Sequence, residues 1–384
     1  MTLKQSAIIL PLLIVTLALV MVGLVVLSSS SASLLTRNPE GNAYFFLGRQ
    51  LIWLAIALGM MGFSTQFDYN LLRPWARPLL LITLGLLLAV LYFGDPKKGA
   101  IRRLDIGPIG IQPSELAKLA AILYLAESWS RRYEHFDSFW RGVVPSLVVL
   151  GTMLGLIFVE PAKGTAFFIG SVCLVLWFTV DGKLKRILPV LAILIVATLV
   201  LIIRDPYSFQ RLISFFQDEE HFHIRMSKIA LANGGWTGLG IGEGRQKMGF
   251  TPETQTDFIF SVYAEELGFI ACVLMLAAFS TIVMVSVYIS LHCEDLFGSL
   301  LAAGCGLCIG LQALLNIAVV TKCIPTTGIS LPFISYGGSS LVVFMTMVGL
   351  IINVARSTLR GVPSSADKSH KRSQRLCRVR TAEA

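Results

Sequence analysis

Residues 268–291 read GFIACVLMLAAFSTIVMVSVYISL, 24 positions without an Asp, Glu, Lys or Arg. As a helix rising about 1.5 Å per residue, the stretch is about 36 Å long, enough to cross a hydrocarbon core about 30 Å thick. It lacks the alternation of a barrel strand. In lipid, only a helix or a closed barrel satisfies the backbone, so this is a transmembrane helix.

Nine comparable runs surround it. They lie at Ala7–Leu27, Phe46–Phe63, Pro78–Phe93, Pro113–Trp129, Val143–Val159, Gly164–Val180, Ile187–Ile203, Ser299–Val320 and Ser340–Val354. The expected fold is an all-α, polytopic membrane bundle of about ten transmembrane helices with a large extracytoplasmic loop. Composition agrees: 14% of residues are charged against about 25% in soluble domains, and mean hydropathy is +0.73. The first run ends in small residues, Ser28–Ser33, as a signal peptide would. Its length and single basic residue, Lys4, favour a retained span.

The net charge of +9 does not imply a nucleic-acid partner. Much of the excess sits in Arg356–Arg380, after the last span, where a basic tail meets anionic lipid. The expected organisation is one membrane domain, 1–355, and a basic cytoplasmic tail, 356–384. Seven cysteines fall mostly in apolar runs and read as small hydrophobes, without a disulfide framework. Neither a Walker motif nor a dinucleotide fingerprint is present, and Gly234–Gly244 does not lead from a strand into a phosphate-binding helix.

Lys and Arg in the short loops orient the chain with both termini in the cytoplasm, placing Arg73, Arg77, Arg131, Arg132, Arg141, Lys183, Lys185 and Arg186 inside. Two external segments break the pattern. Asp95–Gln112 holds Lys97, Lys98, Arg102 and Arg103, and Arg204–Thr256 carries both signs of charge. Positive charge kept on the disfavoured side points to an anionic ligand. Ile229–Gly242 is apolar and Gly-rich, so the long loop is expected to fold against the membrane surface.

Ionisable groups within spans cost about 2.5–3.5 kcal/mol each on insertion scales and are functional candidates. Glu115 and Lys118 share one face at the start of the fourth span, after Gln112, Pro113 and Ser114. They read either as a structural ion pair or as a lysine turned toward an anionic headgroup. Asp257, Ser261 and Glu265 fall on one face of a helix starting at 257. Asp257, at the water–lipid boundary, reads as a proton acceptor for a substrate hydroxyl or as a helix N-cap. PTTGISLPFISYGGSS, 325–340, interrupts an apolar neighbourhood and reads as a cavity wall or a plain external turn.

Together these stretches resemble the SEDS family (shape, elongation, division and sporulation) of polytopic cell-wall polymerases. GAIRRLDIG at 99–107, IQPSELAKL at 111–119, EPAKGTA at 160–166, GGWTGLGIGEGRQKMGFTPETQTDFIFSVYAEELG at 234–268 and NIAVVTKCIPTTGISLPFISYGGSS at 316–340 carry the resemblance, in the family's order. It implies a peptidoglycan glycosyltransferase extending glycan strands from lipid II, with Asp257 as the catalytic acid-base residue. It implies substrate contacts at Arg102, Gln112, Ser114, Glu115, Lys118, Glu160, Arg245, Gln246, Lys247, Glu253, Thr256, Glu265, Pro332, Ser335, Tyr336, Gly337 and Gly338. Cations must meet the charge of the leaving pyrophosphate: Arg102, Lys118 and Arg245 are the candidates. A divalent cation can share that role, although no ligand cluster demands one. The stretch GIGEGRQKMGFTPE is more similar to the division branch than to the elongation branch. The implied partners are a class B penicillin-binding transpeptidase and other divisome membrane proteins, at the division septum of the bacterial inner membrane.

Several positions depart from the family pattern. Arg103 stands where Trp is usual, Ala162 and Lys163 replace an Asp and an apolar residue, Met226 replaces Gln, and Thr327 replaces a lysine. Lys163 and Lys322 are therefore candidates for displaced cationic contacts. A lipid II transporter, an elongation-type polymerase and a scaffold that recruits a transpeptidase are the alternative functions.

Overall fold

The computed structural model describes residues 3–32, 45–94, 96–97, 100–101, 104–106, 109–136, 138–160, 162–216, 222–245 and 255–359. Helices α1 (Leu3–Ala32), α2 (Phe45–Gln66) and α3 (Leu72–Phe93) come first. Two antiparallel hairpins then pair β1 (Pro96–Lys97) with β2 (Ala100–Ile101) and β3 (Leu104–Ile106) with β4 (Ile109–Ile111). They are followed by α4 (Pro113–Arg131), the single turn α5 (Phe139–Gly142), α6 (Val144–Val159), α7 (Lys163–Asp181) and α8 (Leu184–Arg204). The long loop holds α9 (Pro206–Phe216) and α10 (Phe222–Gly234), and α11 (Ile259–His292), α12 (Leu296–Val320) and α13 (Gly338–Leu359) complete the chain.

All ten expected spans are helical. Eight are long and apolar enough to cross a membrane by length and composition. The other two are α6, with 16 residues, and α4, which carries Glu115, Lys118 and Glu127. Helix α4 packs against α3, α6, α7, α12 and α13, and from Pro113 to Trp129 only Leu116 is not buried. An enclosed helix has neither a water face nor a lipid face, so its charges must be answered by protein. Around this centre, α13 and α12 have 78% and 61% of their apolar window buried, against 11% for α8 and 17% for α2. The peripheral helices therefore face lipid, which explains exposed residues such as Ile193, Val196 and Ile203.

Local chemistry fixes the element ends. Pro113, which lacks an amide proton, occupies the first turn of α4, where that proton has no helical acceptor. Asp295 caps α12 by accepting from the Gly298 amide at 3.1 Å, and it also pairs with Arg73 of α3. Helix α13 runs past the expected boundary at 355, so Arg356 is helical and donates to the Thr65 carbonyl at 3.1 Å. The remainder of the basic tail, from 360, lies outside the described residues.

The span expected at 268–291 belongs to a longer helix that starts at Ile259 and is broken at Gly268, whose φ is +79°. A break leaves carbonyls orphaned before it and amides orphaned after it. The Gly-rich loop after α10 satisfies both. Amides of Leu239 and Gly240 donate to the carbonyls of Glu265 and Glu266, both at 3.0 Å, while Phe269 and Ile270 donate to Gly235 and Trp236 at 2.9 and 3.2 Å. Gly238, at φ +81°, presses its backbone directly on Gly268. The loop is thus folded against the membrane part, as expected, and repairs a helix that lipid could not.

Candidate active site

The α4 start, the α12 end, the α11 start and the segment 321–337 meet at the end of the bundle that carries α9 and α10. Lys118 is 3% exposed and donates to Glu115 Oε1 at 2.7 Å and Gln312 Oε1 at 2.8 Å. Its ammonium also lies over the rings of Phe168 and Phe344, 5.5 and 5.3 Å from their centroids. Opposite charge, an amide oxygen and two π-faces hold a cation where lipid-like packing would expel it. Glu115 Oε2 has no hydrogen-bond partner among the described residues, so the pair is not saturated. The structural ion pair therefore exists, and it sits within the candidate site.

Helix α12 presents a second amide one turn beyond Gln312. Asn316, 1% exposed, donates to the carbonyls of Asp257 at 2.9 Å and Ile329 at 2.7 Å. Gln312 donates to the adjacent Ser330 carbonyl at 2.9 Å. These two amides carry the non-helical backbone of 325–337 across the bundle end, where buried carbonyls need donors.

Asp257 lies in a turn, 255–258, and is partly exposed. The N-cap of α11 is Phe258, which makes no side-chain capping bond, so Asp257 stands one residue before the N-cap rather than at it. The turn is pinned from its far side too. Ser335 Oγ donates to the Thr256 carbonyl at 2.6 Å and accepts from the Leu331 amide at 2.8 Å, and the Tyr336 amide donates to the Gln255 carbonyl at 2.9 Å. The segment 325–340 is thus hydrogen-bonded both to α12 and to the turn before α11.

The other expected residues spread around this core. Gln112 Nε2 donates to Ser114 Oγ at 3.1 Å, and the Gln112 amide donates to Ser339 Oγ at 3.2 Å. Pro332 is buried, and Tyr336 and Gly337 are partly exposed. Gly338 packs its backbone against the Trp53 ring, a close approach that explains this glycine by packing. Glu265 is fully buried and accepts from Asn233 Nδ2 at 3.4 Å; Glu160 is fully buried at the end of α6. Arg245 is exposed. Arg102, Gln246, Lys247 and Glu253 lie outside the described residues. No group of three or more His, Cys, Asp or Glu fit to hold a metal occurs among the described residues.

Lys163 does not stand as a spare cation. It forms an ion pair with Asp205 at 2.6 Å and donates to Ser208 at 3.1 Å. Hydrogen bonds from Lys163 and then Ser208 lower the Asp205 carboxyl to about 2, so the partnership persists at neutral pH. Thr327, in the place of the family's lysine, has its backbone packed on Gly164.

A family model described as "Cell cycle protein", FtsW/RodA/SpoVE, matches residues 10–360. The chain belongs to that family. Among relatives of this FtsW/RodA/SpoVE protein, a "Probable peptidoglycan glycosyltransferase FtsW" of Geobacter sp. (strain M18) is 37% identical over 344 residues, 88% of this chain and 94% of the relative. Stage V sporulation protein E of Bacillus subtilis (strain 168) is 37% identical over 363 residues, 93% and 99% of the two chains. Among solved structures, a chain from "Structural coordination of polymerization and crosslinking by a peptidoglycan synthase complex" superposes with a TM-score of 0.75 at 28% identity, covering 90% of this chain and 97% of that one. The rod shape determining protein RodA of Thermus thermophilus gives 0.67 at 27% identity, covering 90% and 96%. This SEDS-type protein is a multi-pass membrane protein. Sequence reading did not single out Gln312 or Asn316, although a pair of amides at i and i+4 inside an apolar span is a visible signal.

Proposed function

We propose that the protein is a peptidoglycan glycosyltransferase that polymerises lipid II for septal wall synthesis and releases undecaprenyl pyrophosphate. The names of its relatives support the activity. The observation that carries it is one hydrogen-bonded frame, Lys118–Gln312–Ser330 and Ile329–Asn316–Asp257, which holds a cation and a carboxylate-bearing turn on the same α12 face.

In the proposed reaction Asp257 takes the proton from the acceptor sugar's 4-hydroxyl as that oxygen attacks the donor's anomeric carbon. The bond to pyrophosphate breaks with its electron pair going to the leaving group, and inversion converts the α-linkage into a β-1,4 bond. Lys118, with Arg102 and Arg245, supplies positive charge to the leaving phosphate oxygens. The remaining residues expected on sequence grounds shape the grooves around these groups.

The finer proposals follow from the same reading. Residues 1–355 act as one catalytic membrane unit with a basic tail, in the inner membrane with both termini cytoplasmic. The partner is a class B penicillin-binding transpeptidase of the divisome, and the division-type role is favoured over the elongation-type by the similarity of 240–253 to the division branch. The test is purified protein with labelled lipid II and that transpeptidase, comparing wild type with Asp257→Asn. Polymer from wild type alone is expected. Polymer from both removes Asp257 from the mechanism, and lipid translocation with no polymer from either assigns a transporter.

A further inference from the structure

We propose that Gln312 and Asn316 are positioning residues with separate duties: Gln312 sets the phosphate-binding cation Lys118, and Asn316 sets the peptide that bears Asp257. The inference rests on the polymerase reading above and names residues which that reading does not use.

Both side chains are buried, at 0% and 1% exposed, on a helix that is otherwise apolar along this face. The network fixes how each amide is turned. Lys118 can only donate, so Gln312 must offer it Oε1, which leaves Nε2 for the Ser330 carbonyl. Asn316 faces two carbonyls, those of Asp257 and Ile329, so both bonds come from Nδ2. Its Oδ1 is then left without a hydrogen-bond partner among the described residues. An acceptor left orphaned in the core costs free energy, which the two donations from the same side chain must offset.

The two amides grip consecutive carbonyls, Ile329 and Ser330, so the irregular segment is a common ruler. Gln312 uses its remaining capacity on the cation, and Asn316 uses its second proton on the turn. Helix α12 thereby sets the spacing between the two charged groups without touching the reacting atoms. Ser335, on the opposite side of the turn, prevents the Asp257 peptide from rotating about the Asn316 bond.

The duties predict different kinetic signatures from residues one turn apart. Gln312→Met keeps the volume and removes both hydrogen bonds, and because Lys118 meets the pyrophosphate both when it is bound and when it leaves, the variant is expected to raise KM for lipid II about fivefold or more and to lower kcat as well. Asn316→Leu is expected to lower kcat at least about tenfold with KM within about twofold. If Asn316→Leu yields no folded protein, Asn316→Ala, which removes both donations without adding bulk or an ionisable group, carries the same expectation. Wild type and Asp257→Asn are run beside them. The same signature in both variants, or unchanged specific activity per folded molecule, overturns the positioning roles alone. Absence of polymer from wild type overturns the polymerase reading beneath them.

Discussion

Removing one member of a buried ion pair leaves the other charge without compensation, a loss of about 3–5 kcal/mol, whereas replacing both with apolar groups is often neutral. Lys118 and Glu115 meet that description, with side chains 2% and 8% exposed and 2.7 Å apart. Stability and function can therefore be separated at this pair. Glu115→Leu alone is expected to lower thermal stability strongly, and the double variant Glu115→Leu/Lys118→Met to regain most of it. Polymerisation is expected to stay absent in both. Recovery of activity with recovery of stability would make the pair purely structural. The sequence revealed these residues because a charge inside an apolar run is conspicuous, whereas Asp257 stood out by its place where the long loop meets a span, at the water–lipid boundary, on one helix face with Ser261 and Glu265. Gln312 and Asn316 were overlooked because uncharged amides barely alter hydropathy, yet burial makes their bonds as specific as those of the charges. The expected capping by Asp257 was displaced by only two residues of helix start, a shift that no propensity fixes.

At the scale of elements, the ten spans were legible because each apolar run must be a helix in lipid. What the runs conceal is the break in α11, since the residues on both sides of Gly268 are equally compatible with a continuous helix. The signal was present in the Gly-rich stretch far upstream in the fold, whose backbone replaces the bonds that the helix gives up. The same holds for the two hairpins before α4, which arise from pairing rather than from periodicity. Substitution at the break is consequently severe. A Cβ at Gly268 would stand 2.6 Å from the Thr237 carbonyl carbon, on a backbone with φ of +79°. Strain in the left-handed region costs about 1–3 kcal/mol before any steric overlap. Gly268→Ala is expected to lower the melting temperature and to raise amide exchange across both 235–241 and 265–270. Gly155→Ala in α6, where a Cβ meets nothing within 4 Å, is the control and should leave both unchanged. Exchange confined to α11, with the loop still protected, would contradict the repair of one element by the other.

Across the whole molecule, charge and site divide between the two ends of the bundle. The end opposite the site gathers Arg73 on Asp295, Arg77 and Arg131 on Glu127, and Arg186 on Asp181. We propose that the chain crosses the membrane ten times with both termini cytoplasmic, which returns α13 to the end where α1 begins and puts this arginine-rich end on the side that the positive-inside bias favours. On that proposal the site end faces outward, where the proposed sugar acceptor and transpeptidase reach it. Two native cysteines test this without foreign tags. Cys323 is exposed just after α12 at the site end, whereas Cys377 follows in the basic tail. A membrane-impermeant maleimide applied to intact spheroplasts is expected to label the wild type, and Cys323→Ser should abolish that label. Permeabilised Cys323→Ser should become labelled again through Cys377. Labelling of intact spheroplasts that survives Cys323→Ser but disappears with Cys377→Ser would invert the molecule, and with it the side on which Asp257 meets its substrate.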